Sequence, residues 1–350
     1  MMNKVVRTHP ATIAPDFTRS QHPDALRLVD PELRSTARLL QEQFAPLIFI
    51  TDENIASVRS WVDSFTGTFH PDVPVVERWV AGVKRIPDVR IFLINARSGE
   101  QRPGILVTHA GGYIVGSARA DVPRLQRIAA VLDCVIVAVE YRLAPEARYC
   151  DSLEDNYLAL KWAYDNAAEI GLDQSRIAVM GASAGGGHAA LLAITARDRG
   201  EVPLAFQLLV YPMLDDRTCT SRAIPEHIGS LIWTKESNRV GWRAFLGCEP
   251  GTNAVPAGAV PARTSDLSGL PPAFIGVGAL DLFVGECIEY ARRLICAGVQ
   301  TELHIVPGAF HGFDFAEDAD VAKRFRAANI QALARAFGVA VKPEADSEPL

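Results

Sequence analysis

The run Gly181-Ala182-Ser183-Ala184-Gly185-Gly186-Gly187 constrains this chain more than any other stretch. It joins an apolar segment, Arg176-Ile177-Ala178-Val179-Met180, to a helix-like one, His188-Ala189-Ala190-Leu191-Leu192-Ala193. A Gly-x-Ser-x-Gly turn from strand to helix holds its serine in a strained conformation. Only minimal side chains at Gly181 and Gly185 let strand and helix approach closely enough. The Ser183 hydroxyl is then pushed out of the sheet. Phosphate-binding loops share this outline but not these residues: His188 follows the glycines where a P-loop needs Lys and Ser/Thr, and Ala182-Ser183 breaks the Gly-x-Gly-x-x-Gly fingerprint. Gly276-Val277-Gly278 fails that fingerprint too, because Asp281 stands at the third glycine's place. Taken alone, the Ser183 turn still fits an ordinary tight turn, so its neighbours decide.

A serine that attacks a carbonyl needs donors for the oxygen that becomes charged. The strand-like Ile105-Leu106-Val107-Thr108 runs into His109-Ala110-Gly111-Gly112-Tyr113. Glycines there let main-chain N–H groups face a carbonyl, and the N–H of Ala184 would complete an oxyanion hole. A plain glycine hairpin is the other reading. The serine also needs a base and an orienting acid, expected in the chain order serine, Asp or Glu, histidine. Asp281 follows the strand-like Ala273-Phe274-Ile275-Gly276-Val277-Gly278, and His311 follows the strand-like Thr301-Glu302-Leu303-His304-Ile305-Val306. Reactive groups in open α/β sheets gather at the carboxyl ends of strands, so Gly111, Gly112, Ser183, Asp281 and His311 are expected on one rim.

With these residues in view, the chain resembles the bacterial hormone-sensitive-lipase-like (family IV) esterases of the α/β-hydrolase fold. His109-Ala110-Gly111-Gly112 stands for the family's His-Gly-Gly-Gly, Tyr141-Arg142-Leu143-Ala144-Pro145-Glu146 for its Tyr-Arg-Leu-Ala-Pro-Glu, and Gly181-Ala182-Ser183-Ala184-Gly185-Gly186 for its Gly-Asp-Ser-Ala-Gly-Gly, with His311-Gly312-Phe313 closing the set. The resemblance spans residues 76 to 338. It implies a Ser183, Asp281, His311 triad and an oxyanion hole from the amides of Gly111, Gly112 and Ala184. Three departures stand out. Ala110 replaces a glycine that is not a donor, which is tolerable if Ala110 keeps a negative φ. Ala182 replaces the usual acidic residue before the nucleophile. The family's Asp-Pro-Leu appears as Asp281-Leu282-Phe283, with Glu286 as a competing carboxylate; Asp281 is preferred because it follows its strand at once, whereas Glu286 begins the next helix.

Composition agrees with this reading. A chain of 350 residues, 49% of them hydrophobic, can bury one large core. Its net charge of −6, with lysines and arginines scattered, shows no field for nucleic acid. The N-terminus lacks the apolar stretch of a signal peptide, and no run reaches about 18 apolar residues. A cytoplasmic location and no membrane association are expected. The six cysteines, Cys134, Cys150, Cys219, Cys248, Cys287 and Cys296, stand singly, without Cys-x-x-Cys pairs or His at zinc spacing. No metal and no cofactor are expected; the expected partner is a small-molecule ester, and a homodimer is left open.

The expected fold is a mostly parallel eight-stranded sheet flanked by helices, with a helical cap. Strands are predicted near 76–82, 91–97, 104–108, 134–139, 176–180, 204–210, 273–277 and 301–306, and helices at 121–132, 152–170, 186–199, 286–297 and 318–337. Residues 1–70 read as an N-terminal helical part of the cap. Asp30-Pro31-Glu32 starts a helix with Leu33, Ala37, Leu40 and Phe44 on one face, and Thr51 caps a second helix through Trp61. Residues 71–212 and 261–340 form the core, 213–260 a cap insertion too long for a bare loop, and 341–350 a polar tail. Tyr113, Leu214, Trp233 and Phe283 are the candidate pocket-lining residues. Arg142 and Glu146 are expected to tie a loop together. Two other readings fit the same residues: a lactonase, deacetylase or amidase with the same triad, and a non-catalytic small-ligand receptor, in which the histidine is typically lost.

Overall fold

Whether an apolar run is continuous or alternating decides where its strand lies in the sheet. In the computed structural model, which describes residues 25–43, 50–64, 67–84 and 86–343, eight strands form one sheet in the order β1-β2-β4-β3-β5-β6-β7-β8. They are β1 (Val75–Val80), β2 (Val89–Ile94), β3 (Arg102–Thr108), β4 (Val135–Glu140), β5 (Leu172–Ala182), β6 (Phe206–Val210), β7 (Ala273–Gly278) and β8 (Thr301–Val306). β2 runs antiparallel to β1 and β4, and all other pairings are parallel. Every residue of β3, β6 and β7 is buried, which requires cover on both faces of the sheet. The edge strands β1 and β8 carry polar residues such as Glu77, Arg78, Glu302 and His304 and are only partly buried.

The helices are α1 (Ala25–Leu28), α2 (Arg34–Gln43), α3 (Ile55–Asp63), α4 (Ala118–Leu132), α5 (Tyr149–Asp165), α6 (Ala167–Ile170), α7 (Ala184–Arg199), α8 (Lys235–Leu246), α9 (Val284–Cys296) and α10 (Asp320–Phe337). Several boundaries differ from the sequence expectation for local reasons. α4 starts at 118 rather than 121 because the Ser117 hydroxyl accepts from the Ala120 amide at 3.4 Å. The single helix expected over 152–170 is two, interrupted at Asn166, whose side chain turns back to donate to the Trp162 carbonyl at 2.8 Å. α3 begins after Asn54, which and not Thr51 stands at the N-cap position; its side chain makes no cap bond and instead accepts from the Thr51 amide at 2.8 Å. Asp30 caps a short 3-10 turn, Pro31–Leu33, ahead of α2, whose buried residues are Ala37 and Leu40. Phe44, residues 1–24 and the end of the tail, 344–350, lie outside the described residues.

Residues between β6 and β7 carry α8, with the Thr234 hydroxyl accepting from the Ser237 amide at 3.3 Å at its N-cap. This helix meets the N-terminal segment: the Ile50 amide donates to the Ser237 hydroxyl at 3.3 Å and Arg243 pairs with Asp52. From α3, Arg59 reaches the carbonyls of Ile114 (2.7 Å) and Ala144 (2.6 Å) and grips Glu146 with two bonds of 2.9 and 2.8 Å. Arg142 instead clasps the buried Asp155 of α5. The two loop residues therefore do not bind each other; they tie the loop after β4 to α5 and α3.

α8 presses its aromatic face onto the loop after β3. The rings of Tyr113 and Phe245 stack with centroids 3.9 Å apart, Trp242 lies 5.2 Å from Tyr113, and the Tyr113 hydroxyl donates to the Met213 carbonyl at 2.9 Å. Behind this stack sits His188 of α7, edge-on to Tyr113 and Phe245 and 4.4 Å from Tyr141. It is fully buried, and neither ring nitrogen has a hydrogen-bond partner among the described residues. Burial, helped by nearby His109, pushes its pKa down to about 3 from an ordinary 6.5. Below pH 6.5 the unfolded chain therefore takes up a proton that the folded chain refuses until about pH 3, so stability falls with acidification across that window. The slope is up to about 1.4 kcal/mol per pH unit. Denaturant titrations at pH 6.5 and 5 should show a loss of roughly 1.6 kcal/mol in the wild type beyond that of His188→Leu; equal losses would mean that His188 does not contribute.

Candidate active site

At the end of β5 the backbone turns through Ser183 at φ 56° and ψ −124°, a conformation costly for any residue with a side chain, and passes straight into α7. Three main-chain bonds hold it there: the Ser183 amide donates to the Val210 carbonyl at 2.9 Å, and the Ser183 carbonyl accepts from Met213 at 2.9 Å and Gly187 at 3.1 Å. Glycine is obligatory at 185, where a Cβ would lie 2.1 Å from the Thr108 carbonyl oxygen. The Thr108 hydroxyl donates across the same contact to the Gly185 carbonyl at 2.7 Å, which draws the end of β3 against the turn.

The loop after β3 makes use of that proximity. Gly111 (φ 130°) and Gly112 (φ 58°) take up backbone that other residues rarely adopt, and the Gly111 carbonyl accepts from Ile114 and Val115 at 3.0 and 2.9 Å. A Cβ on Gly112 would meet the Trp233 ring at 2.1 Å. Ala110 stays outside the positive-φ region, so its methyl group is accommodated. The amides of Gly111 and Gly112 make no hydrogen bond to any described residue. Ala184 opens α7, so its amide is among the four that a helix N-terminus leaves without an intrahelical acceptor.

His311 stands on the loop after β8. Its Nε2 lies 3.0 Å from the Ser183 hydroxyl and its Nδ1 2.8 Å from Asp281 Oδ2. Asp281 is fully buried, and its other oxygen accepts from the Phe283 amide at 2.9 Å. A carboxylate only accepts, so Nδ1 carries the proton and Nε2 is free to accept one from the serine. Glu286 is elsewhere: its buried carboxyl accepts from the amides of Leu214 (2.6 Å) and Asp215 (3.3 Å) and from the Thr218 hydroxyl, pinning the root of the insertion to α9. Burial pushes this carboxyl well above the usual range.

The four pocket-lining expectations separate. Trp233 touches Gly112, and the Phe283 ring meets the His311 ring edge-on at 5.3 Å. Tyr113 does not line the site: with φ 69° its side chain turns into the packing against α8, and its hydroxyl is used by Met213. Leu214 is fully buried, with its amide on Glu286 and its carbonyl on Ala262, and nothing brings it to Ser183. Sequence reasoning missed Tyr211, whose ring lies 4.7 Å from that of His311; its only sequence signal is its place directly after β6. Among the described residues no group of three or more His, Cys, Asp and Glu side chains could hold a metal, and no helix is long and apolar enough to cross a membrane.

Comparison with known proteins places this geometry. A family model for the alpha/beta hydrolase fold matches residues 105–315. Esterase LipI of Mycobacterium tuberculosis is 33% identical over 271 residues, covering 77% of this chain and 84% of that protein. Carboxylesterase NlhH of the same organism is 33% identical over 321 residues, covering 88% and 97%. Among solved structures, a bacterial heroin esterase superposes with a TM-score of 0.79 at 34% identity, covering 89% of this chain and 99% of that one. The chain belongs to the hormone-sensitive-lipase-like esterases of the α/β-hydrolase fold.

Proposed function

We propose that this carboxylesterase hydrolyses short-chain carboxylic esters through a covalent acyl-serine on Ser183. The observation that carries the reading is the His311 imidazole bridging Asp281 and Ser183 at 2.8 and 3.0 Å. His311 Nε2 takes the serine proton as Oγ attacks the ester carbonyl, then gives it to the departing alcohol; water repeats the cycle to release the acid. Asp281 holds the imidazole in the required tautomer and stabilises its protonated form. The amides of Gly111, Gly112 and Ala184 receive the oxyanion, each worth on the order of 3 kcal/mol in such sites, and the positive end of α7 adds to them.

The cap reading assigns residues 1–70 and 213–260 to a cover over a core of 71–212 and 261–340. The contacts of Ile50 and Asp52 with α8, and of Arg59 with the loop after Gly112, support it. A cytoplasmic location is supported by the six cysteines, all of which are free thiols. His311, paired on both nitrogens, favours catalysis over a binding-only receptor. No specific contact favours a lactone or amide over an ester.

Ser183→Ala should remain folded and lose roughly 10⁶ in kcat for p-nitrophenyl acetate, because the triad acts as a unit. A fluorophosphonate should label Ser183 and no other serine, as read by peptide mass spectrometry; labelling elsewhere would move the nucleophile. Asp281→Asn should lower kcat by about 10⁴ by presenting the wrong histidine tautomer. Glu286→Gln, which keeps an acceptor for the Leu214 amide, should stay within about tenfold of wild type, since its carboxyl only anchors the insertion. The opposite ranking would shift the acid to Glu286. Across p-nitrophenyl esters kcat/KM should peak at acyl chains of about two to six carbons. Each methylene that fits gains about 0.8 kcal/mol, and each that meets the cap loses more. A preference for long-chain triglycerides with activation at an oil–water interface would refute a bounded acyl site.

A further inference from the structure

The serine-esterase reading leaves unexplained what steadies His311 once its bond to Ser183 breaks in each cycle. Only the single Asp281 bond then remains, and the ring can swing about it. Two aromatic rings flank it. Phe283 belongs to the same turn as Asp281. Tyr211 comes from a different element, the residue after β6, and its ring stands 4.7 Å from the imidazole at 62°.

Tyr211 is fastened at both ends. Its backbone sits at φ 33°, unusual for an aromatic residue, and is held by its amide on the Gly276 carbonyl at 2.6 Å. Its chain neighbours Val210 and Met213 hold the two sides of Ser183 at 2.9 Å. At the far end its hydroxyl donates to Asp314 Oδ1 at 2.7 Å, three residues beyond His311. The Asp314 carbonyl is in turn fixed by Arg326 of α10 at 2.5 Å. The phenol is buried, which pushes its pKa well above the ordinary value, with the charge of Asp314 acting in the same sense, so it stays a donor. A phenylalanine would fill the same space. A strained backbone together with a part-buried hydroxyl–carboxylate bond goes beyond what packing needs.

We propose that Tyr211 is a positioning residue: through its ring and its hydroxyl bond to Asp314 it couples the Ser183 turn to the His311 loop and keeps the imidazole aligned through turnover. This rests on the serine-esterase reading. The test is steady-state hydrolysis of p-nitrophenyl acetate by wild type, Ser183→Ala, Tyr211→Phe, Asp314→Asn, Asp314→Ala and the Tyr211→Phe/Asp314→Ala double variant, with a melting temperature for each. Tyr211→Phe and Asp314→Ala should each lower kcat at least about tenfold with KM within about twofold. Asp314→Asn, whose carbonyl oxygen still accepts the phenol proton, should recover most of the rate. The double variant should be no slower than the worse single one, as expected for one shared bond. Melting temperatures of Tyr211→Phe and Asp314→Asn should fall by no more than a few degrees, and these two decide the matter if Asp314→Ala does not fold. The proposal is overturned if Tyr211→Phe keeps kcat within about twofold of wild type, if Asp314→Asn is as slow as Asp314→Ala, or if the two losses multiply. Inactive wild type or active Ser183→Ala overturns the esterase reading itself, and the proposal with it.

Discussion

The contact on which the rest of this molecule depends is the approach of the Thr108 carbonyl to Gly185, closer than any side chain would allow. It brings the carboxyl end of β3 against the first turn of α7. The loop that carries Gly111 and Gly112 follows β3, so it starts beside the first turn of α7, which follows Ser183. Parallel pairing of β3 with β5, β5 with β6 and β6 with β7 then puts the loops bearing Ser183, Tyr211 and Asp281 on the same edge, and pairing of β7 with β8 adds His311. The strain at Ser183 is borne by its neighbours: Val210 and Met213 hold it by main-chain bonds that exist only because β6 lies beside β5.

The same loop that offers amides on one side anchors α8 on the other. Tyr113 follows Gly112 and turns its ring under Phe245 and Trp242, while Trp233 closes over Gly112. Apolar stacking, worth about 0.5–1.5 kcal/mol per aromatic pair beyond burial, fixes α8 relative to the amides. Arg59 adds a polar hold on the Ile114 carbonyl from α3. α8 and the Gly111-Gly112 loop are thus parts of one packed unit, so a change at Phe245 would be felt at Gly112.

The chemistry was legible in the sequence where it requires particular residue types at particular places. A serine between glycines, a glycine pair after a strand, and an acid and a histidine each just past a strand are local patterns, and the central strands followed from apolar runs long enough to be buried on both faces. What was not legible depends on side-chain direction or on pairing between distant elements. Tyr113 looked like a pocket residue because it adjoins Gly112, yet its positive φ sends it into the packing. Asn54 took the N-cap position expected of Thr51, three residues earlier, with its side chain turned back to the Thr51 amide rather than onto the helix. The partners of Arg142 and Glu146 lie on α5 and α3, which no local pattern connects to that loop. Tyr211 was invisible for the same reason: its partner, Asp314, is brought near only by the finished sheet.

The separation of Asp281 from Glu286 shows how one turn of helix assigns two carboxylates different work. Asp281 lies in the turn three residues beyond β7 and precedes α9, so it faces the rim where His311 arrives. Glu286 lies within the first turn of α9 and faces the start of the insertion, where it gathers two amides and a hydroxyl. The neighbouring carboxylates in that root are paired as well, Asp215 with Arg217 and Arg222, and Asp216 with Arg263 and the Gly251 amide. Leaving any one of these buried groups without its partner would cost several kcal/mol, far more than a surface pair contributes. The base of the insertion is therefore held rigidly by polar bonds and its α8 end by aromatic packing.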